Sequence, residues 1–85
     1  MSIKLRDSVT VCDTEYGSVL LDERGGAYWS LNPTGALVLQ ALLSGDSPDD
    51  AARALAEEHG LDREVAATDV RDLVAALRGA GLIAP

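Results

Sequence analysis

The segment from Asn32 to Gly45 constrains the fold more than any other, because it predicts a helix that is apolar on almost every side. Asn32 can cap this helix, and Pro33 can occupy its first position, where the missing N–H has no helical partner to lose. Such a helix is stable only when it is buried, so residues 33–44 are expected to form the centre of the fold. The apolar side chains behind this prediction are Ala36, Leu37, Val38, Leu39, Ala41, Leu42 and Leu43.

The residues before this helix have strand character. Loosely alternating runs rich in Val, Thr and Leu predict three short strands over residues 9–13, 18–22 and 27–31. A charged turn that ends in Gly25 and Gly26 separates the last two runs, and glycine supplies the positive φ that tight turns demand. We therefore expect an antiparallel meander of three strands.

Two further helices are predicted after the central one. The second runs from residue 48 to about 59 with Ser47 as its cap, and the third runs from residue 63 to about 78 with Asp62 as its cap. Leu82 and Ile83 are expected to close back on the core. The order βββααα predicts an α+β fold in which a three-stranded antiparallel sheet covers one side of three helices, a winged-helix-like arrangement.

Length and charge limit the class of protein. With 85 residues, 47% of them apolar and 25% charged, the chain is expected to fold as a single domain over residues 1–85. The net charge of -7 repels phosphates, which argues against nucleic-acid binding and favours a basic partner, although acids also keep a small domain soluble. No apolar run approaches the ~20 residues of a membrane-spanning helix, so a cytoplasmic protein without membrane contact is expected.

Side chains that could support catalysis or bind a metal are sparse. Cys12 is the single cysteine and cannot form an internal disulfide, and His59 lies where it can cap the end of the second helix. Four acids of that helix are better explained as partners of the helix dipole and as a solvated face than as metal ligands: Asp49, Asp50, Glu57 and Glu58. The sequence therefore predicts no catalytic residue, no metal site and no cofactor.

Two alternatives to a protein-binding role stay open from the residues alone. A winged-helix transcriptional regulator would use residues 63–78 as its recognition helix, where the arginines are nearly offset by acids. An acidic carrier protein would bear a phosphopantetheine arm on a serine such as Ser47, but Pro48 follows that serine and the first third of the chain has strand character.

The only Trp of the chain stands beside one of its two Tyr residues, just before the central helix. Neighbouring residues of a strand point to opposite faces, so Tyr28 and Trp29 cannot both enter one core. Trp29 shares its parity with Leu31, which is expected to be buried beside the helix start. We therefore predict that Trp29 points inward and Tyr28 outward.

The stretch LDERGGAYWSLNPTGALVLQALLSG, Leu21 to Gly45, carries a recognisable pattern. An aspartate ends a strand, a glycine turn and an aromatic pair follow, and Leu-Asn leads into an apolar helix that ends in glycine. Together with the downstream caps and the closing Gly-Leu-Ile, this pattern resembles the PqqD-like family of precursor-peptide recognition domains. At this length the chain is most similar to the stand-alone leader-binding proteins of lasso-peptide gene clusters; other stand-alone relatives serve pyrroloquinoline quinone or radical-enzyme pathways.

The resemblance implies a non-catalytic protein that binds the leader segment of a ribosomally made precursor (RiPP) peptide and delivers it to a leader peptidase and a cyclase. It also implies that the leader adds as an antiparallel strand to the third-strand edge, about residues 26–31, in a cleft walled by the third helix. The free edge could instead pair with a second copy of the chain. Two acids of the helix would meet basic leader residues, and about half of its apolar residues would touch the leader. The implied peptide-binding residues are Ala27, Tyr28, Trp29, Ser30 and Leu31 on the strand, and Asp69, Val70, Asp72, Leu73, Val74 and Leu77 on the helix.

Overall fold

Three antiparallel strands form one layer of the computed structural model, which describes residues 3–84. They are β1 (Val9–Thr14), β2 (Gly17–Asp22) and β3 (Tyr28–Leu31), and β2 lies between the other two. β3 begins one residue later than predicted, and Ala27 directly precedes it. β3 is therefore a short edge strand with β2 as its neighbour in the sheet.

Three helices follow the sheet: α1 (Pro33–Leu43), α2 (Pro48–His59) and α3 (Arg63–Gly79). Each begins directly after the capping residue that the sequence predicts, because a side-chain oxygen accepts an N–H that has no partner within the helix. Asn32 accepts the amide of Gly35 at 2.7 Å, Ser47 accepts that of Asp50 at 3.1 Å, and Asp62 accepts that of Glu64 at 2.8 Å. The predicted α+β fold, three antiparallel strands followed by three helices, is confirmed.

The core consists of two hydrophobic clusters that meet at α1. One cluster lies between the sheet and the helices around Leu20 and Leu39, and the other lies among the three helices around Leu42 and Leu55. The prediction that α1 is central is confirmed, although Leu43 at its end is 37% exposed. Burial of the first cluster removes apolar surface from water and holds the sheet against the helices, and burial of the second holds the three helices together.

The two ends of the described chain lie side by side. Leu5 and Ile83 form an isolated antiparallel bridge, and the Arg6 amide donates to the Leu82 carbonyl at 3.1 Å. Leu82 and Ile83 are buried, which confirms that they close on the core. The sequence did not indicate their pairing with the N-terminal segment. Of the predicted domain, three residues lie outside the described range: Met1, Ser2 and Pro85.

The turn between β2 and β3 is held by Asp22. Its carboxylate accepts the Arg24 amide at 3.1 Å, and the turn ends at Gly26, which has a φ of 73°. The Ser8 hydroxyl first, and the Gly25 and Arg24 amides with it, lower the pKa of the Asp22 carboxyl by hydrogen bonding to its charged form. The ionised side chain is therefore the one that supports the turn.

Acid should remove the stabilising contribution of Asp22. A carboxyl whose pKa is lower in the folded state stabilises the fold at pH values above its unfolded pKa of about 3.9, and this contribution is lost as the pH falls through the folded pKa. We expect Asp22→Asn to destabilise the protein at pH 7 and to differ less from the parent protein near pH 3. Urea unfolding at the two pH values measures this difference, and an equal loss at both would contradict it.

Candidate peptide-binding site

The outer edge of β3 carries backbone groups that no described residue pairs. The Asp22 amide donates to the Ala27 carbonyl at 2.9 Å directly beyond the last ladder pair, Leu21 with Tyr28, so the Ala27 carbonyl faces β2. Bonded and non-bonded pairs alternate in an antiparallel ladder, which makes Trp29 the next residue whose amide and carbonyl face β2. The amides and carbonyls of Tyr28 and Ser30 therefore face outward, where another strand could pair with them.

The register of the sheet also fixes the faces of the two aromatic side chains. Trp29 lies opposite Leu20, which is fully buried, and Tyr28 lies opposite Leu21, which is 40% exposed. Trp29 is thus on the inner face and Tyr28 on the outer face, as predicted. Trp29 is nevertheless 36% exposed, because it lies near the open edge where no strand covers it. Its ring is accessible to a ligand on that edge.

A cleft separates the end of β3 from α3. It encloses a cavity of about 380 Å³ whose lining includes the buried Leu31, Val38 and Leu55 and the half-buried Leu73. Exposed polar groups complete the lining, among them Ser30, Asn32, Asp69 and Asp72. An apolar base with acidic and amide groups around it can bury an apolar side chain and bind a neighbouring cation.

The structure brings together part of the residue set that the sequence predicts. The cavity is lined by five of them, and Ala27, Tyr28 and Trp29 continue the same strand edge away from it. The helix residues Val70 and Leu77 are 1% and 0% exposed and belong to the core instead. The five predicted residues in the cavity lining are Ser30, Leu31, Asp69, Asp72 and Leu73.

Val74 is the predicted residue that falls on a different surface. It is half-buried like its neighbour Leu73, and both side chains pack against both hydrophobic clusters. Val74, however, lines a separate cavity between α3 and the start of α2. A helix that buries one stripe exposes two flanks beside it, and Leu73 and Val74 lie on opposite ones.

Comparison with known families identifies the fold. The sequence model of the family described as "Coenzyme PQQ synthesis protein D (PqqD)" matches residues 17–83. The chain belongs to the PqqD family. The matched range runs from the start of β2 to Ile83, so it includes the β3 edge, the cleft and all of α3.

Two solved structures resemble this PqqD-family chain over nearly its whole length. A lasso peptide synthetase B1 complexed with the leader peptide is 44% identical, covers 100% of both chains and superposes with a TM-score of 0.95. TbiB1 in complex with the TbiA(beta) leader peptide is 29% identical, covers 94% of this chain and 93% of that one, and has a TM-score of 0.86. No curated protein matches the chain significantly.

The sequence did not indicate several residues that line the PqqD-family cleft. Asn32, Thr34 and Gly35 contribute from the start of α1, and Val38 and Leu55 contribute from α1 and α2. The sequence could have indicated the residues at the start of α1, because the cap Asn32 directly follows Leu31 and must lie beside the end of β3. Val38 and Leu55 gave no separate signal, since apolar helix residues look alike whether they line a core or a cleft.

The cleft side of α3 is acidic. Asp69 and Asp72 are exposed, and the one ion pair within residues 3–84 joins Arg53 to Asp50 at 3.7 Å, elsewhere on the molecule. The described residues contain no group of His, Cys, Asp or Glu that could hold a metal ion, and none of their helices is long and apolar enough to span a bilayer.

Proposed function

We propose that this PqqD-family chain binds the leader segment of a ribosomally made precursor peptide. The observation that carries the proposal is the similarity, over the whole chain, to a lasso peptide synthetase B1 complexed with the leader peptide. The open edge of β3 and the cleft beside it give the chain a surface suited to an extended peptide. The leader adds as an antiparallel strand to this edge, about residues 26–31.

In strand addition, backbone groups supply affinity and side chains supply specificity. The outward amides and carbonyls of Tyr28 and Ser30 pair with the leader backbone and supply affinity that does not depend on leader sequence. Specificity comes from leader side chains on the inner face, which reach the cavity beside Leu73. Asp69 and Asp72 favour a leader with basic residues next to the side chain that enters this cavity.

The protein acts without catalysis in this proposal. It holds the leader in the cytoplasm, where precursor peptides are made, and presents it to a leader peptidase and a cyclase of the same pathway. Two observations argue against the alternatives: the family match argues against a carrier protein or a transcriptional regulator, and the hydroxyl of Ser47 is engaged as the cap of α2. The free β3 edge could pair with a second copy when no leader is present.

The proposal is tested with the leader of the precursor peptide encoded beside this protein. We expect saturable binding with a Kd of tens of micromolar or tighter, about -6 kcal/mol or better, and a change in the fluorescence of Trp29, the only Trp. Amide exchange measured by NMR should then slow at Tyr28 and Ser30, whose amides gain partners. It should change less at Trp29, whose amide already donates to β2.

A scrambled leader of the same composition is the control for specificity. Saturable binding of the true leader without this alternating protection would contradict strand addition while leaving leader binding intact. Absence of saturable binding by the true leader would contradict the proposed function itself.

A further inference from the structure

A second groove runs along the flank of α3 that faces α2, away from the leader cleft. It consists of two adjoining cavities of about 240 and 290 Å³, and both are lined by Asp49 and Ala67. Val74 and Ala75 add apolar surface at one end, beside the first residue of α2, Pro48. The two cavities thus form one groove with apolar surface in its lining.

Four arginines line this groove, and they are all the cations of residues 46–85: Arg53, Arg63, Arg71 and Arg78. All four side chains are exposed. Arg53 is paired with Asp50, whereas no carboxylate in the described part of the chain lies within ion-pair distance of the other three. We call this surface the arginine groove.

The charge of α3 is sorted between its two flanks. At 3.6 residues per turn, Asp69 and Arg71 lie about 100° to either side of the buried Val70, on opposite flanks of the helix. Asp69 faces the leader cleft and Arg71 faces the arginine groove. Four arginines outnumber Asp49, the one acid in the lining, so a protein of net charge -7 presents a basic, partly apolar surface on the other flank of α3 from its acidic cleft.

We propose that the arginine groove binds an acidic, partly apolar segment of a partner protein. Exposed guanidinium groups suit carboxylates because their donors match the two oxygens in a bidentate pair. The apolar side chains of Ala67, Val74 and Ala75 in the lining suit the apolar side chains of the same segment. The acidic surface elsewhere repels such a segment, so the field of the protein directs it to this groove.

The arginine groove and the leader cleft use different residues, so both can be occupied at once. Leu73 and Asp72 line the cleft and not the groove, whereas Arg71 and Arg78 line the groove and not the cleft. The inference goes beyond leader binding and does not require it. Partner binding through this face would leave the β3 edge open to a peptide.

The experiment uses a synthetic amphipathic peptide of leucine and glutamate as the probe. We expect saturable binding that perturbs the NMR amide signals of Ala67, Arg71 and Ala75 while those of β3 stay unchanged. The double variant Arg71→Glu/Arg78→Glu should bind this peptide at least about tenfold more weakly. The double variant Lys4→Glu/Arg6→Glu makes the same change in net charge on exposed side chains elsewhere, and it should retain binding.

Each of the following results would overturn the inference. A peptide with glutamine in place of glutamate could bind equally well, or the perturbed NMR amide signals could centre on β3. Duplex DNA could bind more tightly at the same arginines, or the protein alone could form a dimer that Arg71→Glu/Arg78→Glu dissociates. Leader affinity is measured separately in both double variants. In Arg71→Glu/Arg78→Glu, loss of the acidic peptide with retained leader binding would support the inference. Unweakened binding of the acidic peptide by that variant would overturn it, whether or not the leader still binds.

Discussion

Replacing Gly17 with alanine should lower the free energy of unfolding by at least about 3 kcal/mol, because two costs combine at this position. Gly17 begins β2 with a φ of 134°, a conformation that residues with a Cβ rarely adopt. An added Cβ would also overlap the carbonyl oxygen of Leu31 and approach the carbonyl carbon of Asn32 at 2.8 Å. Both of those contacts are backbone, so no side chain can move aside to relieve them.

The matched control for this substitution is Gly45→Ala. Gly45 has a φ of 106°, but a Cβ there meets no atom within 4 Å, so the variant carries the conformational cost of about 1–2 kcal/mol without the overlap. Urea unfolding of the two variants separates strain from steric contact. If Gly17→Ala were no less stable than Gly45→Ala, the close approach of β2 to the junction of β3 and α1 would be wrong.

The Gly17 variant also has a consequence for binding. Leu31 and Asn32 line the leader cleft, so displacement of their backbone would change its shape. Leader affinity should therefore fall in the fraction of Gly17→Ala protein that remains folded, while Gly45→Ala should bind the leader normally.

Leu73→Ala should weaken leader binding at least about tenfold, or about 1.4 kcal/mol, because it removes the half-buried apolar side chain that α3 contributes to the cleft. Val74→Ala is the matched control. Val74 is its neighbour, is half-buried, and packs against the same two hydrophobic clusters, but it lines the arginine groove. Both variants should lose stability, and only the first should lose leader affinity.

Isothermal titration of the leader into each folded variant measures this difference, and urea unfolding gives the stability of each. An equal loss of affinity in both variants would mean that binding responds to stability rather than to the cleft. Unchanged affinity in Leu73→Ala would place the leader elsewhere on the molecule.

Local chemistry made the elements of this fold predictable. The caps Asn32, Ser47 and Asp62 bind amides within the first turn of the helix that each precedes, so their signal requires nothing from the rest of the chain. The faces of Tyr28 and Trp29 followed from the two-residue period of a strand and one buried neighbour.

Properties that depend on contacts between distant parts of the chain were harder to predict from the sequence. The apolar stripe of α3 gave the same signal at Val70, Leu73 and Val74, yet only packing decides which side chain is buried and which groove the others line. The net charge likewise concealed the arginine groove, because a sum over the sequence holds no information about which flank of a helix each charge occupies. The pairing of Leu5 with Ile83 joins residues that no local pattern connects.

That pairing has a consequence for how such a chain can be joined to other proteins. Residues opposite each other in an antiparallel bridge have Cα atoms about 5 Å apart. Residues 5–83 could therefore be inserted into a surface loop of a larger enzyme without moving the two ends of that loop far apart. A circular permutant in which Leu5 and Ile83 are linked should likewise keep its fold. The bridge that closes this small fold also allows the fold to be inserted into other proteins.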